Sequence, residues 1–257
     1  MTLGAPTWFW LTVAALLGLT FGSFFTVVVS RWPAEQSLVR PPSHCTTCDR
    51  RLSWFELVPV LSWLALRGRC RGCSEKVSPR YLLIELATAV AAVTGLVAFG
   101  VTIPGVLASV LLVALVPVVV IDLEHKLIPD NVVVYPATIV ALTLAIAHNP
   151  QRWWVPVVAA VSAAGFLLAL ILIYPGGMGM GDVKLALLLG AVLGSAVIPA
   201  IAIAFLTGSI LGVVMIMKAG KAARKMAIPF GPFLAAGAVV SLWWGPTMLD
   251  WYSQRLS

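Results

Sequence analysis

Apolar runs about as long as a bilayer is thick recur from one end of this sequence to the other, and no fold in water can bury them all. They lie near Trp8–Val29, Tyr81–Gly100, Ile103–Ile121, Val132–Ala147, Trp153–Tyr174, Val183–Ile198, Ala200–Met217 and Phe230–Leu249. Only 11% of residues are charged, against about a quarter in a soluble domain. Mean hydropathy is +1.00. The expected fold is all-α and polytopic, with about eight transmembrane helices of about 20 residues each and the lipid bilayer as solvent. The net charge of +7 is a matter of loops in such a chain, and no nucleic-acid partner is expected. The first run lacks a basic segment before it and a small-residue cleavage site after it, so it reads as a retained helix rather than a signal peptide.

The charges set the orientation. With eight spans, every Lys and Arg except Arg152 and Arg255 falls on one side. The positive-inside rule puts that side in the cytoplasm, with both termini outside. The least secure division is at Pro199, where one long run becomes two helices because proline ends one and opens the next. Without that break the cluster Lys218, Lys221, Arg224 and Lys225 moves to the other side.

The chain therefore divides into a first helix at 1–30, a polar cytoplasmic subdomain at 31–80, and a transmembrane domain at 81–257. The subdomain holds all four cysteines, as Cys45-Thr-Thr-Cys48 and Cys70-Arg-Gly-Cys73. Each C-x-x-C can offer two thiolates from one turn, and four thiolates make a closed tetrahedral site suited to structural zinc, Zn2+. Two disulfides are the alternative, disfavoured in a reducing cytoplasm. A redox C-x-x-C is another, but it needs no second copy. So small a segment cannot support a core alone, and a metal would largely fold it, as a zinc-ribbon-like loop.

Two carboxylates sit at the ends of apolar runs. Asp122 closes the third and Asp182 opens the sixth, in Gly179-Met180-Gly181-Asp182-Val183-Lys184. An ionisable group at membrane depth is costly, so function is its default explanation. Peptide hydrolysis by two carboxylates needs one ionised as general base and the other protonated as donor; proximity enforces the split. The two approach the cytoplasmic face from opposite chain directions and can share a water there. The glycines at 176, 177, 179 and 181 allow close approach, and a helix start favours the charged form of Asp182. Each aspartate also has a plainer reading, Asp182 as a helix cap and Asp122 as a hydrated interface residue. Asp130 reads as the cap of the fourth span, Glu124 and His125 as solvated. Lys184 either tunes the pair or reaches for the interface, and Glu85 takes Arg80 or another cation as partner.

At these residues the chain resembles the type IV prepilin leader peptidase / N-methyltransferase family, the bacterial GxGD intramembrane aspartic peptidases. The likeness includes Gly22-Ser23-Phe24, the two cysteine pairs, Pro59-Val60-Leu61-Ser62-Trp63, Arg80-Tyr81 with Glu85, Ile121-Asp122, Pro129-Asp130, the glycine–aspartate motif, and Ile228-Pro229-Phe230-Gly231-Pro232-Phe233. The resemblance implies that Asp122 and Asp182 are the catalytic pair. It implies substrates that are type IV prepilins or pseudopilins, cut after a glycine between a short basic leader and an apolar helix, in type IV pilus or type II secretion systems of the bacterial inner membrane. Many relatives also methylate the new N-terminus with S-adenosylmethionine, an activity linked to the cysteine-loop region. Two positions depart from the family's common pattern: Thr26 stands where Asn follows Gly-Ser-Phe-x, and Leu57 where Asn precedes the Ile-Pro step.

Two other classes compete. An ion- or proton-coupled transporter would use the aspartates as a relay, but would place them nearer the midplane and often shows repeated halves. A membrane-anchored zinc adaptor leaves Asp182 unexplained.

Overall fold

Lipid supplies no hydrogen-bond partners, so a spanning segment must satisfy its own backbone groups, as a helix does. The computed structural model describes residues 6–219 and 228–256, and among them the regular elements are all helical. The long helices are α1 (Thr7–Arg31), α3 (Pro79–Phe99), α4 (Ile103–His125), α5 (Tyr135–His148), α6 (Trp154–Ile173), α7 (Met180–Leu193), α8 (Val197–Ala219) and α9 (Gly231–Leu256); a short α2 (Leu61–Ala65) lies in the cysteine loop. Lys221, Arg224 and Lys225 lie outside the described residues.

Among the described residues seven segments are long and apolar enough to cross a membrane, and one of them, Met180–Lys218, runs for 39 residues. It is not one helix. A three-residue 3-10 turn at Gly194–Ala196 divides it into α7 and α8, with Gly194 at φ +56°, ψ −130°. That backbone suits a residue without a β-carbon. The division expected at Pro199 thus falls five residues earlier, at a glycine. Pro199 instead sits in the first turn of α8, where a helix tolerates a missing N–H.

The chain forms two compact units, 1–117 and 118–257. In the first, α1 packs along α3 with almost no side chain between them. A β-carbon on Gly22 would lie 2.7 Å from the Glu85 Cα, and one on Gly18 2.6 Å from the Ala89 Cα. Small residues of this kind let helices approach where no hydrophobic drive exists between them. Ser109 on α4 adds an interhelical bond, its hydroxyl donating to the Ala92 carbonyl at 2.7 Å.

In the second unit α7 is the central element, packed by α5, α6 and α9. Its Leu185, Leu188 and Leu189 are wholly buried, as expected of a helix apolar on every side. The α6–α7 contact is again a close one, since a β-carbon on Gly190 would meet the Ala159 carbonyl oxygen at 2.4 Å. The most enclosed helix of this unit therefore begins with the Gly-Met-Gly-Asp motif.

Candidate functional site

The cysteine cluster is assembled from two copies of one turn. In the first, the Cys45 N–H donates to the Arg50 carbonyl and the Asp49 N–H to that of Cys45. In the second, the Cys70 N–H donates to Glu75 and the Ser74 N–H to Cys70. Asp49 and Ser74 hold equivalent places, at φ +54° and +59°. Isolated antiparallel bridges, His44 with Arg51 and Arg69 with Lys76, close the two turns.

All four cysteines are free. Their sulfurs lie within 4.8 Å of one another, with Cys45 and Cys73 3.8 Å apart. A tetrahedron of thiolates about 2.3 Å from a central zinc has edges of about 3.8 Å, so the donor set fits a metal. In each turn the first cysteine is biased toward the ligating thiolate form, whereas at Cys73 the Glu75 backbone amide is outweighed by burial and the neighbouring sulfurs, which push the thiol up to about 12. Backbone N–H groups of Cys73 and Gly72 pull the Cys70 thiol down to about 6, and those of Cys48 and Thr47 lower Cys45.

Arg50 follows the first pair and braces the cluster. Its guanidinium makes a two-pronged contact with Glu56, at 3.0 and 2.6 Å. It also packs against Gly72, where a β-carbon would come within 2.9 Å of Nε. Glu56 takes the Ser53 N–H as well, at 2.9 Å. With Arg50 first among the causes, the Glu56 carboxyl is held down at about 2.

The aspartates belong to the second unit. Asp122 lies in the last turn of α4 and Asp182 in the first turn of α7; each is 5% exposed. Asp182 lies within electrostatic range of Asp122. It is the third residue of its helix, and its Oδ2 accepts the N–H of Gly179 at 3.1 Å. Asp182 thus closes a capping turn from inside the helix rather than standing as the cap itself.

Asp122 is held by a residue that sequence reasoning left without a role. Gly231, the first residue of α9, donates its N–H to Asp122 Oδ2 at 2.8 Å across 109 positions. A β-carbon at Gly231 would lie 2.7 Å from that oxygen. The signal was present in Ile228-Pro229-Phe230-Gly231-Pro232-Phe233, a glycine between prolines where an apolar run begins. The Asp122 carboxylate thus meets the start of α9 while standing at the end of its own helix α4, so the two dipoles act on it in opposite senses, and a helix start is no longer peculiar to Asp182.

The neighbours sort themselves. Asp130 is not the cap of the fourth span: Pro129 precedes a π-helical turn, Asp130–Val134, that leads into α5. Its Oδ2 is instead paired with Lys184, which also lies 5.8 Å from the Tyr135 ring centroid. Lys184 is thereby held in an ion pair rather than free to reach the interface. A β-carbon on Gly181 would lie 2.9 Å from the Ile128 Cβ, so the segment before Asp130 lies directly on the start of α7. Glu124 and His125 form a partly exposed pair at 3.7 Å. Glu85, in the first unit, takes the backbone N–H of Val60 at 2.7 Å and not the expected cation.

Residues 16–99 match the family model described as the bacterial peptidase A24 N-terminal domain, and residues 106–217 that of the type IV leader peptidase family. The relatives named prepilin leader peptidase/N-methyltransferase include three from different bacteria. The one from Myxococcus xanthus is 39% identical over 218 residues, covering 82% of this chain and 64% of that protein. The Bacillus subtilis protein is 30% identical over 246 residues, covering 94% and 97%. The Aeromonas salmonicida protein is 35% identical over 287 residues, covering 97% and 95%. No solved structure gives a significant match.

Proposed function

We propose that this chain, which belongs to the type IV leader peptidase family, cleaves the leader of type IV prepilins or pseudopilins at the cytoplasmic face of the bacterial inner membrane, with Asp122 and Asp182 as its catalytic pair. One observation carries the reading: separate helices bring two buried carboxylates within range of each other's charge, and a backbone amide holds each. Like charges brought together on one water resist simultaneous ionisation. The ionised carboxylate takes a proton from water, the protonated one donates to the scissile carbonyl, and the pair exchanges these states over the cycle. A substrate helix lying in the bilayer would hold its leader at the cytoplasmic surface. A transporter gains no support from the named relatives.

The four thiolates of the 31–80 subdomain would hold zinc. A closed site of this kind has no open position and serves structure rather than hydrolysis. The same reading assigns the aspartic peptidase to 81–257.

A second activity, methylation of the newly exposed N-terminus, is supported by the relatives' printed names and by a cavity of about 590 Å³ in the first unit. S-adenosylmethionine, when bound, supplies an electrophilic methyl group on a sulfonium. The cavity's volume suits a ligand of that size. Two of its lining aromatic rings, Trp63 and Tyr81, suit a cation.

The test of the pair is Asp122→Asn and Asp182→Asn, each assayed on a pilin by mass spectrometry. Each variant is expected to lose cleavage by about 10³-fold or more while inserting normally, in line with the loss of a reacting acid or base. Cleavage at the wild-type rate by either would refute the assignment.

A further inference from the structure

Glu85 is a buried carboxylate that the peptidase chemistry does not use. It lies in the second turn of α3, 9% exposed, among apolar residues of a membrane-crossing segment. Among the described residues no Lys or Arg pairs with it. Its hydrogen bond comes from the Val60 N–H, at 2.7 Å. A carboxylate has about four acceptor positions, so this bond leaves room for a ligand.

The backbone that reaches Glu85 is strained to do so. Val60 sits at φ +63°, ψ −52°, and the Leu61 N–H bonds back to the Pro59 carbonyl at 2.6 Å. This is the rare, positive-φ form of the three-residue γ-turn, built here on a β-branched residue. The turn uses the Leu61 amide for its own closure and leaves the Val60 amide free to point at the carboxylate. Backbone of this kind persists where the surroundings over-determine it, and it clusters at functional sites.

Glu85 also lines the cavity of the first unit, together with Ser23, Thr26, Leu57, Trp63 and Tyr81. The two positions that depart from the family's pattern, Thr26 and Leu57, are therefore both in its wall. The Thr26 hydroxyl is committed to the Ser23 carbonyl at 2.6 Å.

We infer that this cavity is the methyl-transfer site and that Glu85 is the catalytic residue that binds the substrate's α-amine and receives its proton. The inference rests on the methyl-transfer reading above. An α-amine is largely an ammonium at neutral pH, with a pKa of about 8, and has no lone pair to give. Glu85 first accepts a proton from the ammonium, leaving a neutral amine. The amine lone pair then forms the new N–C bond as the donor's C–S bond breaks, its electron pair leaving with sulfur as a neutral thioether. The positive charge passes from sulfonium to methylammonium, so charge and atoms balance. The Val60 N–H fixes the carboxylate's orientation throughout.

The experiment uses the full-length protein with a pilin and S-adenosylmethionine, reading cleavage and methylation by mass spectrometry, and donor-site binding by calorimetry with S-adenosylhomocysteine. For Glu85→Gln the expected result is a fall of about 10²-fold in the methylation rate constant, the scale of a lost general base. Cleavage and S-adenosylhomocysteine affinity should stay within about 2-fold, as independent functions do. Glu85→Asp should recover part of the methylation. Methylation by Glu85→Gln at the wild-type rate would overturn the inference. So would a joint loss of cleavage or of S-adenosylhomocysteine binding, which would make Glu85 scaffold or donor site. If the wild type itself adds no methyl group, the methyl-transfer reading fails instead.

Discussion

The four-cysteine cluster and the two-aspartate cluster are both built from residues distant in sequence, yet they are organised in opposite ways. Each cysteine pair carries its geometry locally, in a turn whose own amides bond back to the same stretch of chain and point at sulfur. Two such turns need only meet. The aspartates carry almost no local geometry. Asp122 is held by an amide 109 residues away, and Asp182 is enclosed because α5, α6 and α9 surround its helix. A site of the first kind depends on its ligand for cohesion, and one of the second kind on helix packing. Each should therefore break without the other.

The largest expected separation is at the metal. A Cys45→Ser, Cys48→Ser double variant should lose essentially all bound zinc by metal analysis, because a structural site does not survive with two ligands. Pilin cleavage should fall by less than about 10-fold. Undiminished zinc would refute the site, and total loss of cleavage would end the separation.

A smaller effect is expected at Gly231. Alanine there places a methyl group 2.7 Å from Asp122 Oδ2. A displacement of about 1 Å in a reacting group can cost about 10²-fold, so cleavage by Gly231→Ala should drop by about 10- to 100-fold with zinc content unchanged. Gly165→Ala, which meets open space, is the control and should cleave normally. Equal rates for the two would show that the Gly231 contact does not position Asp122.

The smallest effect concerns Glu56. Its carboxyl is more acidic folded than free, about 2 against 4.5. The Arg50 contact therefore contributes fully above about pH 4.5 and is lost as pH falls toward 2. Glu56→Gln should lower the temperature of zinc release by a few degrees, on the scale of one charged contact. The difference from wild type should hold between pH 7 and 5 and narrow below about 4.5. A difference that grows on acidification would contradict the sign.

Much of this was legible before any coordinates. Apolar length and the absence of partners in lipid leave helices as the answer for a chain like this one. Cysteine spacing was enough for a metal site because the relevant geometry spans only four residues. The expected break at Pro199 shows where such reading stops. Proline and glycine both interrupt helices, but a proline in a first turn costs little, whereas the Gly194 conformation is one that other residues rarely adopt.

Composition and pattern alone thus settled that this is a many-helix membrane chain with a cysteine-bearing loop, since hydropathy and short-range turn chemistry are local properties. What only the packed molecule decided is who holds whom: Gly231 for Asp122, Asp130 for Lys184, the strained Val60 amide for Glu85. Those pairings join residues 25 to 109 positions apart. No periodicity encodes them, because a backbone amide, or a lysine ammonium, becomes specific only when folding points it at a particular oxygen.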